Sequence, residues 1–264
     1  MNNELSDAYR RGKLMLFVGA GVSSNLGLPS WSELIDRIAT ELGYDPTIFG
    51  TYGDPLALAE FYTRTKGSIG ALRSWMDREW HGTDVDVTTS EIHRLIATGK
   101  FSRIYTTNYD RWLESAHEAF GVDYDKVAKV SDLVATSDGQ RQIIKLHGDF
   151  DDDASIVLSE TSFFERLSFE APLDIKLRND VLGSSVLFIG YSLSDINIRL
   201  LFYRLAMMWE KSTLPAARPK SYVFTHRPNP VAQEVLKHWG IELLVSDVDD
   251  PRQALEDFLA ELVN

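Results

Sequence analysis

Residues 14–23 read Leu-Met-Leu-Phe-Val-Gly-Ala-Gly-Val-Ser, an apolar run followed at once by a glycine-rich turn. A strand that is apolar at every position is typical of a parallel sheet that is covered on both faces. Glycine permits a tight turn after such a strand, and it lets a phosphate group approach the backbone amides at a helix start. The stretch therefore predicts an α/β fold and a phosphate-binding turn made of Gly19, Ala20, Gly21, Val22 and Ser23.

Five further apolar or β-branched runs predict the remaining strands: Ile104–Thr106, Ile143–Leu146, Val186–Ile189, Tyr222–Phe224 and Glu242–Val245. Helical patterns separate most of these runs, and such alternation is typical of a parallel sheet flanked by helices. Helix starts are indicated by a Ser30–Glu33 capping box and by Asp54-Pro55, and helices are also expected over Tyr109–Phe120 and from about Pro251 onward. We expect a Rossmann-like α/β fold with a parallel sheet of about six strands.

The first two predicted strands are separated by an unusually long segment of about eighty residues. A simple crossover between parallel strands needs only about a dozen residues. The pattern of residues 43–99 is mostly helical. We interpret residues 1–264 as a single domain that carries residues 43–99 as a helical cap inserted beside the sheet.

Composition restricts the possible functions. The chain has 264 residues, a formal net charge of −12 and no cysteine. The acidic charge argues against direct binding of nucleic acid or of acidic membranes. The lack of cysteine excludes disulfides, thiolate zinc sites and a cysteine nucleophile. The first residues do not resemble a signal peptide, and the apolar runs are too short to cross a bilayer, so we expect a cytoplasmic protein without a membrane span.

Polar residues and glycines follow three more of the predicted strands. These motifs are Thr106-Thr107-Asn108-Tyr109-Asp110, Leu146-His147-Gly148 and Gly190-Tyr191-Ser192-Leu193. Because the carboxyl ends of parallel strands meet at one edge of the sheet, where ligands bind, these residues are candidates for one pocket. Taken singly, Asn108 or Asp110 could be a helix N-cap, and His147 could be a structural histidine.

The glycine-rich turn differs from the fingerprint of a dinucleotide-dependent dehydrogenase. Ser24 stands where a third glycine or an alanine is expected, and no acidic residue ends a second strand about twenty residues further on. A standard dehydrogenase is therefore excluded, and a nucleotide pocket of another kind is expected.

The four strand-end motifs together resemble those of the sirtuins. Gly-Ala-Gly-x-Ser, Thr-x-Asn-x-Asp and His-Gly occur in the same order, and the loop at Gly190 is similar to the sirtuin Gly-Thr-Ser-Leu loop. The resemblance covers about residues 13–200 and implies a pocket in which the nicotinamide–ribose bond of NAD+ is broken. It implies that residues 19–23 hold the pyrophosphate and that Asn108 and His147 are catalytic. The other expected binding residues are Thr107, Asp110, Gly190, Tyr191, Ser192 and Asp195.

Departures from the sirtuin deacylases shift the expected activity. Those enzymes carry a four-cysteine zinc module, which this sequence cannot build. The sequence of the Gly190 loop instead resembles that of the sirtuin-like domains of bacterial antiphage defence, which hydrolyse NAD+. The resemblance implies a zinc-free NAD+ hydrolase that yields nicotinamide and ADP-ribose and depletes NAD+ in abortive infection. It also implies a homo-oligomer, with a HerA-type ATPase or a short Argonaute as a possible partner.

The sequence is also compatible with functions other than NAD+ hydrolysis. The same pocket would suit an NAD-dependent protein deacylase or ADP-ribosyltransferase, or a non-enzymatic sensor of NAD+ or ADP-ribose. As a hypothesis for hydrolysis, Asn108 orients the water or a ribose hydroxyl and His147 is the general base. Asp110 and Asp195 are either helix caps or ligand contacts, and His226 is either in a solvated loop or near a phosphate or ribose.

Overall fold

A parallel sheet organises the part of the chain that the structure describes. The structure is a computed structural model, and it describes residues 2–82, 84–137, 139–168, 170–193, 195–212 and 218–264. The strands are β1 (Leu14–Val18), β2 (Arg103–Thr106), β3 (Asp125–Val127), β4 (Gln142–Lys145), β5 (Ser185–Ile189), β6 (Ser221–Thr225) and β7 (Ile241–Val245). They lie in the order β3-β4-β2-β1-β5-β6-β7, and every neighbouring pair is parallel. The expected Rossmann-like sheet is therefore confirmed.

The sheet has one strand more than the sequence indicated. The additional strand, β3, has only three residues and pairs with β4 at one edge of the sheet. Only its last residue, Val127, is buried, so an apolar run could not mark it. Short, polar strands are common at sheet edges because they discourage pairing with other chains.

Helices fill the connections between the strands. They are α1 (Asn3–Arg10), α2 (Ala20–Ser23), α3 (Trp31–Leu42), α4 (Pro46–Phe49), α5 (Pro55–Lys66), α6 (Gly70–Trp80), α7 (Glu91–Thr98), α8 (Trp112–Ala119), α9 (Val130–Ala135), α10 (Glu160–Glu165), α11 (Pro172–Leu182), α12 (Ile196–Glu210), α13 (Pro230–His238) and α14 (Pro251–Val263). Ser30 and Glu33 form the expected capping box at the start of α3. In the described residues, no helix combines the length and apolarity that a membrane crossing needs.

Alternate residues of β1 pack into different cores. Leu14, Leu16 and Val18 lie in a cluster with residues of α7 and α14. Met15 and Phe17 lie in a second cluster with residues of α11, α12 and α13. Because side chains of a strand alternate between the two faces of the sheet, a strand covered on both faces must be apolar throughout. This packing explains the run of apolar residues that precedes the glycine-rich turn.

The helices between β1 and β2 pack in two different ways. Buried residues of α3, α5 and α6 share a third core cluster, to which Tyr109 and Phe150 also contribute from loops of the sheet. Helix α7 instead packs on the sheet through Ile92, Leu95 and Ile96. The described helices of this segment therefore contact both the sheet and its loops.

Helix α8 begins later than the sequence pattern indicated. The expected helix started at Tyr109, but α8 starts at Trp112. The intervening backbone is held in a loop because the Asn108 amide donates to Thr106 Oγ1 at 2.9 Å and the Trp112 amide donates to Asp110 Oδ1 at 3.1 Å. The delayed start leaves Asn108 and Asp110 in a loop at the carboxyl end of β2.

Candidate functional site

A cavity of about 980 Å³ lies at the carboxyl ends of the strands. Most of the expected site residues line it, and these are Ala20, Gly21, Ser23, Thr107, Asn108, Asp110, His147, Gly190, Tyr191, Ser192 and Asp195. Gly19 and Val22 are not among the described lining residues. Val22 is wholly buried in the cluster that faces α7, which makes its side chain a core residue. The structure thus brings the four strand-end motifs around one cavity.

The glycines of the first turn are required by a close contact with the Gly190 loop. A Cβ atom at Gly19 would lie 2.3 Å from the Gly190 carbonyl oxygen, and one at Gly190 would lie 2.5 Å from the Val22 nitrogen. The Gly21 amide donates to the Gly190 carbonyl at 2.9 Å. Gly190 also has a φ of 56°, in the left-handed region that favours glycine. The two loops therefore form one tightly packed floor of the cavity.

Ser23 links the two polar residues of the β2 loop. Its hydroxyl donates to Asp110 Oδ2 at 2.8 Å and accepts from Asn108 Nδ2 at 3.2 Å. The single hydroxyl proton goes to the carboxylate, so the Asn108 amide must face Ser23 with its NH2 group. Asn108 Oδ1 is consequently directed away from Ser23, as an acceptor for a ligand or a water molecule.

His147 is paired with a carboxylate. Its Nε2 lies 3.3 Å from Asp195 Oδ2, and the Tyr191 hydroxyl donates to the same oxygen at 3.2 Å. The other oxygen, Asp195 Oδ1, accepts from the amides of Asn197 and Ile198 and caps α12. A carboxylate at Nε2 favours the tautomer that carries its proton there, which leaves a lone pair on Nδ1. Asp195 therefore caps a helix and orients His147 at the same time.

The protonation of this trio follows from its surroundings. Burial acts to raise the pKa of Asp195, but contact with His147 and the hydrogen bonds from α12 outweigh burial, so the pKa lies below its ordinary value. Burial and the nearby Asp195 charge raise the pKa of Tyr191 well above its ordinary value, although a hydrogen bond from Thr107 opposes them. Asp195 is thus an anion beside His147, and Tyr191 is a neutral donor.

A buried lysine behind the β2 loop was missed by the sequence reasoning. Lys145 is 0% exposed, and its Nζ donates to the carbonyl oxygens of Tyr109 and Asp110 and to Glu114 Oε1. The available signal was a charged residue inside the apolar run Ile143–Leu146, because lysine is almost never fully buried without partners. The wall of the cavity also includes Trp31 and Phe163, which the sequence did not single out.

The far end of the cavity is formed by β6 and the start of α14. Phe224, Thr225 and His226 line it together with Pro251 and Leu255. The lining residues that the structure describes include no lysine or arginine. Within the same residues there is also no group of three or more histidine, aspartate or glutamate side chains placed to hold a metal ion. A bound anion in this cavity would therefore rely on backbone amides, hydroxyls and His226.

The fold and the residues around this cavity define a class of protein. The SIR2-like domain family matches residues 102–244, which include β2 through most of β7. The chain therefore belongs to the SIR2-like domain family.

Individual relatives are named for defence and for NAD+ cleavage. The chain is 29% identical to "Defense-associated sirtuin 2" of Bacillus subtilis over 89% of its own length and 23% of the relative. It is 31% identical to "NAD(+) hydrolase ThsA" of Enterococcus faecium over 73% of its length and 40% of that protein. A solved structure described as "The Structural basis for Sirtuin Substrate affinity" aligns with 98% of this chain and 94% of its own, at 14% identity and a TM-score of 0.45. The chain spans less than half the length of the curated relatives that it matches.

Proposed function

We propose that this chain is an NAD+ hydrolase that breaks the nicotinamide–ribose bond and releases nicotinamide and ADP-ribose. The observation that carries the proposal is the cavity in which Asn108, Asp110 and the His147–Asp195 pair converge at the carboxyl edge of the sheet. A relative that is 31% identical to the chain is named an NAD(+) hydrolase. We also propose that Asn108 and His147 are the catalytic residues.

The shape of the cavity supports one orientation of the dinucleotide. Its lining runs from His147 after β4 to His226 after β6, across four spacings between neighbouring strands. At about 4.8 Å for each spacing, this distance is roughly 19 Å, which suits an extended dinucleotide. The cationic nicotinamide end fits beside Asp110 and Asp195, because opposite charges attract in a partly desolvated pocket. The pyrophosphate then lies over the floor made by the Gly19–Ser23 turn and the Gly190 loop.

Bond cleavage at this site needs no acid. The nicotinamide ring is positively charged in NAD+, so it takes the bonding electron pair onto its ring nitrogen and leaves as a neutral molecule. The ribose then carries a positive charge in an oxocarbenium-like state. Asp110 is held in place by Ser23 and by the Trp112 amide, and its carboxylate stabilises the developing charge electrostatically.

Water completes the reaction by adding to the ribose. Asn108 Oδ1 accepts a hydrogen bond from the attacking water and orients it, and His147 takes up the proton as general base. Asp195 lies at the opposite ring nitrogen and stabilises the imidazolium that forms. The proton is then returned to solvent, so the products are nicotinamide, ADP-ribose and one proton.

The biological role that we propose is depletion of NAD+ during antiphage defence. The name of the Bacillus subtilis relative supports this role, and so does the family to which the chain belongs. Because unrestrained NAD+ loss would kill the host, we further propose that the activity is controlled through assembly of several copies or by a partner, such as a HerA-type ATPase or a short Argonaute. Residues 43–99 are proposed to act as a cap over the cavity.

Nicotinamide release tests the proposed activity. Purified chain is incubated with NAD+, with and without an acetylated protein acceptor, and nicotinamide is measured by chromatography. We expect release that does not depend on the acceptor and that falls by about a hundredfold to ten-thousandfold in His147→Ala, the usual contribution of general-base catalysis. The matched control is His238→Ala, which removes an exposed histidine from the end of α13.

The possible outcomes separate the candidate functions. Release that requires the acceptor would support a deacylase or ADP-ribosyltransferase. Binding of NAD+ without release, measured by calorimetry across a range of chain concentrations, would support a sensor. Turnover by a folded His147→Ala or Asn108→Ala variant at the wild-type rate would refute the assignment of the catalytic residues.

A further inference from the structure

Lys145 is a charged residue that the proposed chemistry does not use. It is the last residue of β4 and lies two positions before His147 in the chain. Its side chain is 0% exposed, and a lysine in such a place loses its hydration unless the protein replaces it. The protein does replace it, because the three protons of Nζ have three partners within 3.0 Å.

Two of these partners are backbone atoms of the β2 loop. Lys145 Nζ donates to the Tyr109 carbonyl at 3.0 Å and to the Asp110 carbonyl at 2.7 Å. The loop is the segment in which the expected start of α8 is delayed. Hydrogen bonds from a charged donor are about twice as strong as neutral ones. Lys145 therefore holds the backbone of this loop against the strand that leads to His147.

The third partner is a carboxylate in α8. Glu114 Oε1 accepts from Lys145 at 3.0 Å, and Asp149 Oδ2 lies 3.7 Å from the same ammonium group. Burial raises the pKa of Glu114, although the charge of Lys145 acts to lower it. Asp149 is also paired with Lys126 at 2.8 Å. The ammonium group thus has two carboxylate partners, Glu114 and the more distant Asp149, as well as two backbone partners. The electrostatic role and the backbone role can be separated by mutation.

We propose that Lys145 is a positioning residue that fixes the Asn108–Asp110 loop relative to His147. The inference rests on the proposed function, because it explains how the two catalytic residues, Asn108 and His147, are held at the right distance from each other. Asn108 is held from the cavity side by Ser23, and the loop is held from behind by Lys145. Without the lysine, the loop backbone is free to continue α8 toward its N terminus and carry Asn108 away from His147. A displacement of about 1 Å can cost about a hundredfold in rate.

The test separates positioning from simple charge balance. Lys145→Met leaves Glu114 unpaired, so we expect a lower urea midpoint as well as a loss of turnover. The double variant Lys145→Met/Glu114→Leu removes both charges. We expect its urea midpoint to recover while kcat for nicotinamide release stays about a hundredfold below wild type and KM stays within threefold. Recovery of kcat together with stability would overturn the proposal, because Lys145 would then only neutralise Glu114.

Hydrogen exchange gives a measurement that does not depend on activity. In the double variant, we expect the amides of Asn108 and Trp112 to exchange at least tenfold faster than in wild type, while amides in the last turn of α8 are unchanged. Unchanged exchange at Asn108 and Trp112 would overturn the proposal even if the wild-type chain releases no nicotinamide. Absence of release by wild type at every chain concentration, and with the candidate partners added, would instead refute the proposed function and leave this measurement valid.

Two further variants complete the experiment. Lys66→Met is the matched control, because Lys66 Nζ also donates to a backbone carbonyl, that of Glu41, in an exposed position. We expect wild-type turnover from it. If the double variant does not fold, Lys145→Met/Glu114→Gln replaces it, since methionine removes the donors and glutamine removes the carboxylate charge while keeping the size of Glu114. A reduced kcat with faster exchange at Asn108 would then support the proposal, and wild-type values of both would refute it.

Discussion

The loop that joins β2 to α8 has two sides that treat buried polar groups differently. On the cavity side, Ser23, Asn108 and Asp110 bind one another through hydrogen bonds of 2.8 and 3.2 Å. On the opposite side, Lys145 and Glu114 form an ion pair at 3.0 Å. The first arrangement leaves an acceptor, Asn108 Oδ1, for a ligand, whereas the second uses all three protons of the ammonium group.

This difference indicates a division of labour within one short segment. Buried polar groups are normally paired, so an acceptor that is unpaired within the described residues, such as Asn108 Oδ1, suits a ligand, whereas the fully paired ammonium group of Lys145 suits a positioning role. The same division holds at His147, where Asp195 uses Oδ1 to cap α12 and Oδ2 to contact the imidazole. Substitutions that change only one of the two functions should therefore separate rate from stability.

Among the substitutions Asp195→Asn, His93→Asn and Ser23→Ala, the first should give the largest effect. Asparagine caps helices as well as aspartate does, so α12 should keep its start and the free energy of unfolding should change by less than about 1 kcal/mol. The charge beside His147 is lost, and the imidazolium formed during catalysis loses its stabilising partner. We expect kcat for nicotinamide release to fall about a hundredfold, which corresponds to about 2.7 kcal/mol in the activation barrier.

Asp45→Asn is the matched control for this prediction. Asp45 caps α4 in the same way, through amides of Thr47 and Ile48, but it is exposed. Both variants are compared by steady-state kinetics and urea unfolding. If Asp195→Asn lost several kcal/mol of stability along with its activity, the separation between capping and catalysis would be wrong.

His93→Asn tests the side of the loop that faces away from the cavity. His93 is 0% exposed, its Nδ1 lies 2.8 Å from Ser90 Oγ, and its Nε2 has no hydrogen-bond partner in the described residues. Burial lowers its pKa from 6.5 to about 4, although the charge of Asp110 acts to raise it. The unfolded chain therefore binds one more proton than the folded chain between these pH values, and stability falls as the pH drops from 6.5 toward 4.

The variant should remove this pH dependence. Asparagine keeps a polar group near Ser90 but cannot take up a proton in this range. Between pH 6.5 and 5, we expect wild type to lose roughly 1.6 kcal/mol more of its free energy of unfolding than His93→Asn does. Urea titrations at several pH values measure the difference. His238→Asn, at an exposed position, should retain the wild-type slope, and equal slopes for His93→Asn and wild type would show that His93 is not held neutral.

The sequence predicted the cavity side of the β2–α8 loop but not the opposite side, where Lys145 lies. Asn108 and His147 were identified because each follows an apolar run, and such runs mark strands whose carboxyl ends meet at one edge. Lys145 was overlooked because its partners are the carbonyl oxygens of Tyr109 and Asp110, which any residue type would present. For the same reason the late start of α8 was not predicted, since tertiary contacts override local helix propensity.

Contacts between loops that are distant in the chain could also not be predicted from the sequence pattern. The glycines at 19 and 21 indicated a tight turn, but nothing in their spacing showed that Gly190 packs directly on them. Asp195 was expected to be either a helix cap or a ligand contact. In the structure, Oδ1 of Asp195 caps α12 and Oδ2 contacts His147. Pairings of this kind depend on where two strand ends meet, and that geometry is set by the whole sheet.

Ser23→Ala should have a smaller effect than Asp195→Asn or His93→Asn. It tests how much the hydrogen bonds among Ser23, Asn108 and Asp110 contribute. The variant removes the hydroxyl that fixes the Asn108 amide and bonds Asp110 Oδ2. Water from the cavity can replace part of this hydrogen bonding, so we expect a stability loss of about 1 kcal/mol and a fall in kcat of about tenfold. Ser6→Ala, in α1, is the control, because Ser6 Oγ donates to the Asn2 carbonyl and Ser6 is not among the described residues that line the cavity. A loss of kcat as large as that of Asp195→Asn would mean that Ser23 itself contacts the reacting atoms, and no loss would mean that Asn108 is positioned by Lys145 alone.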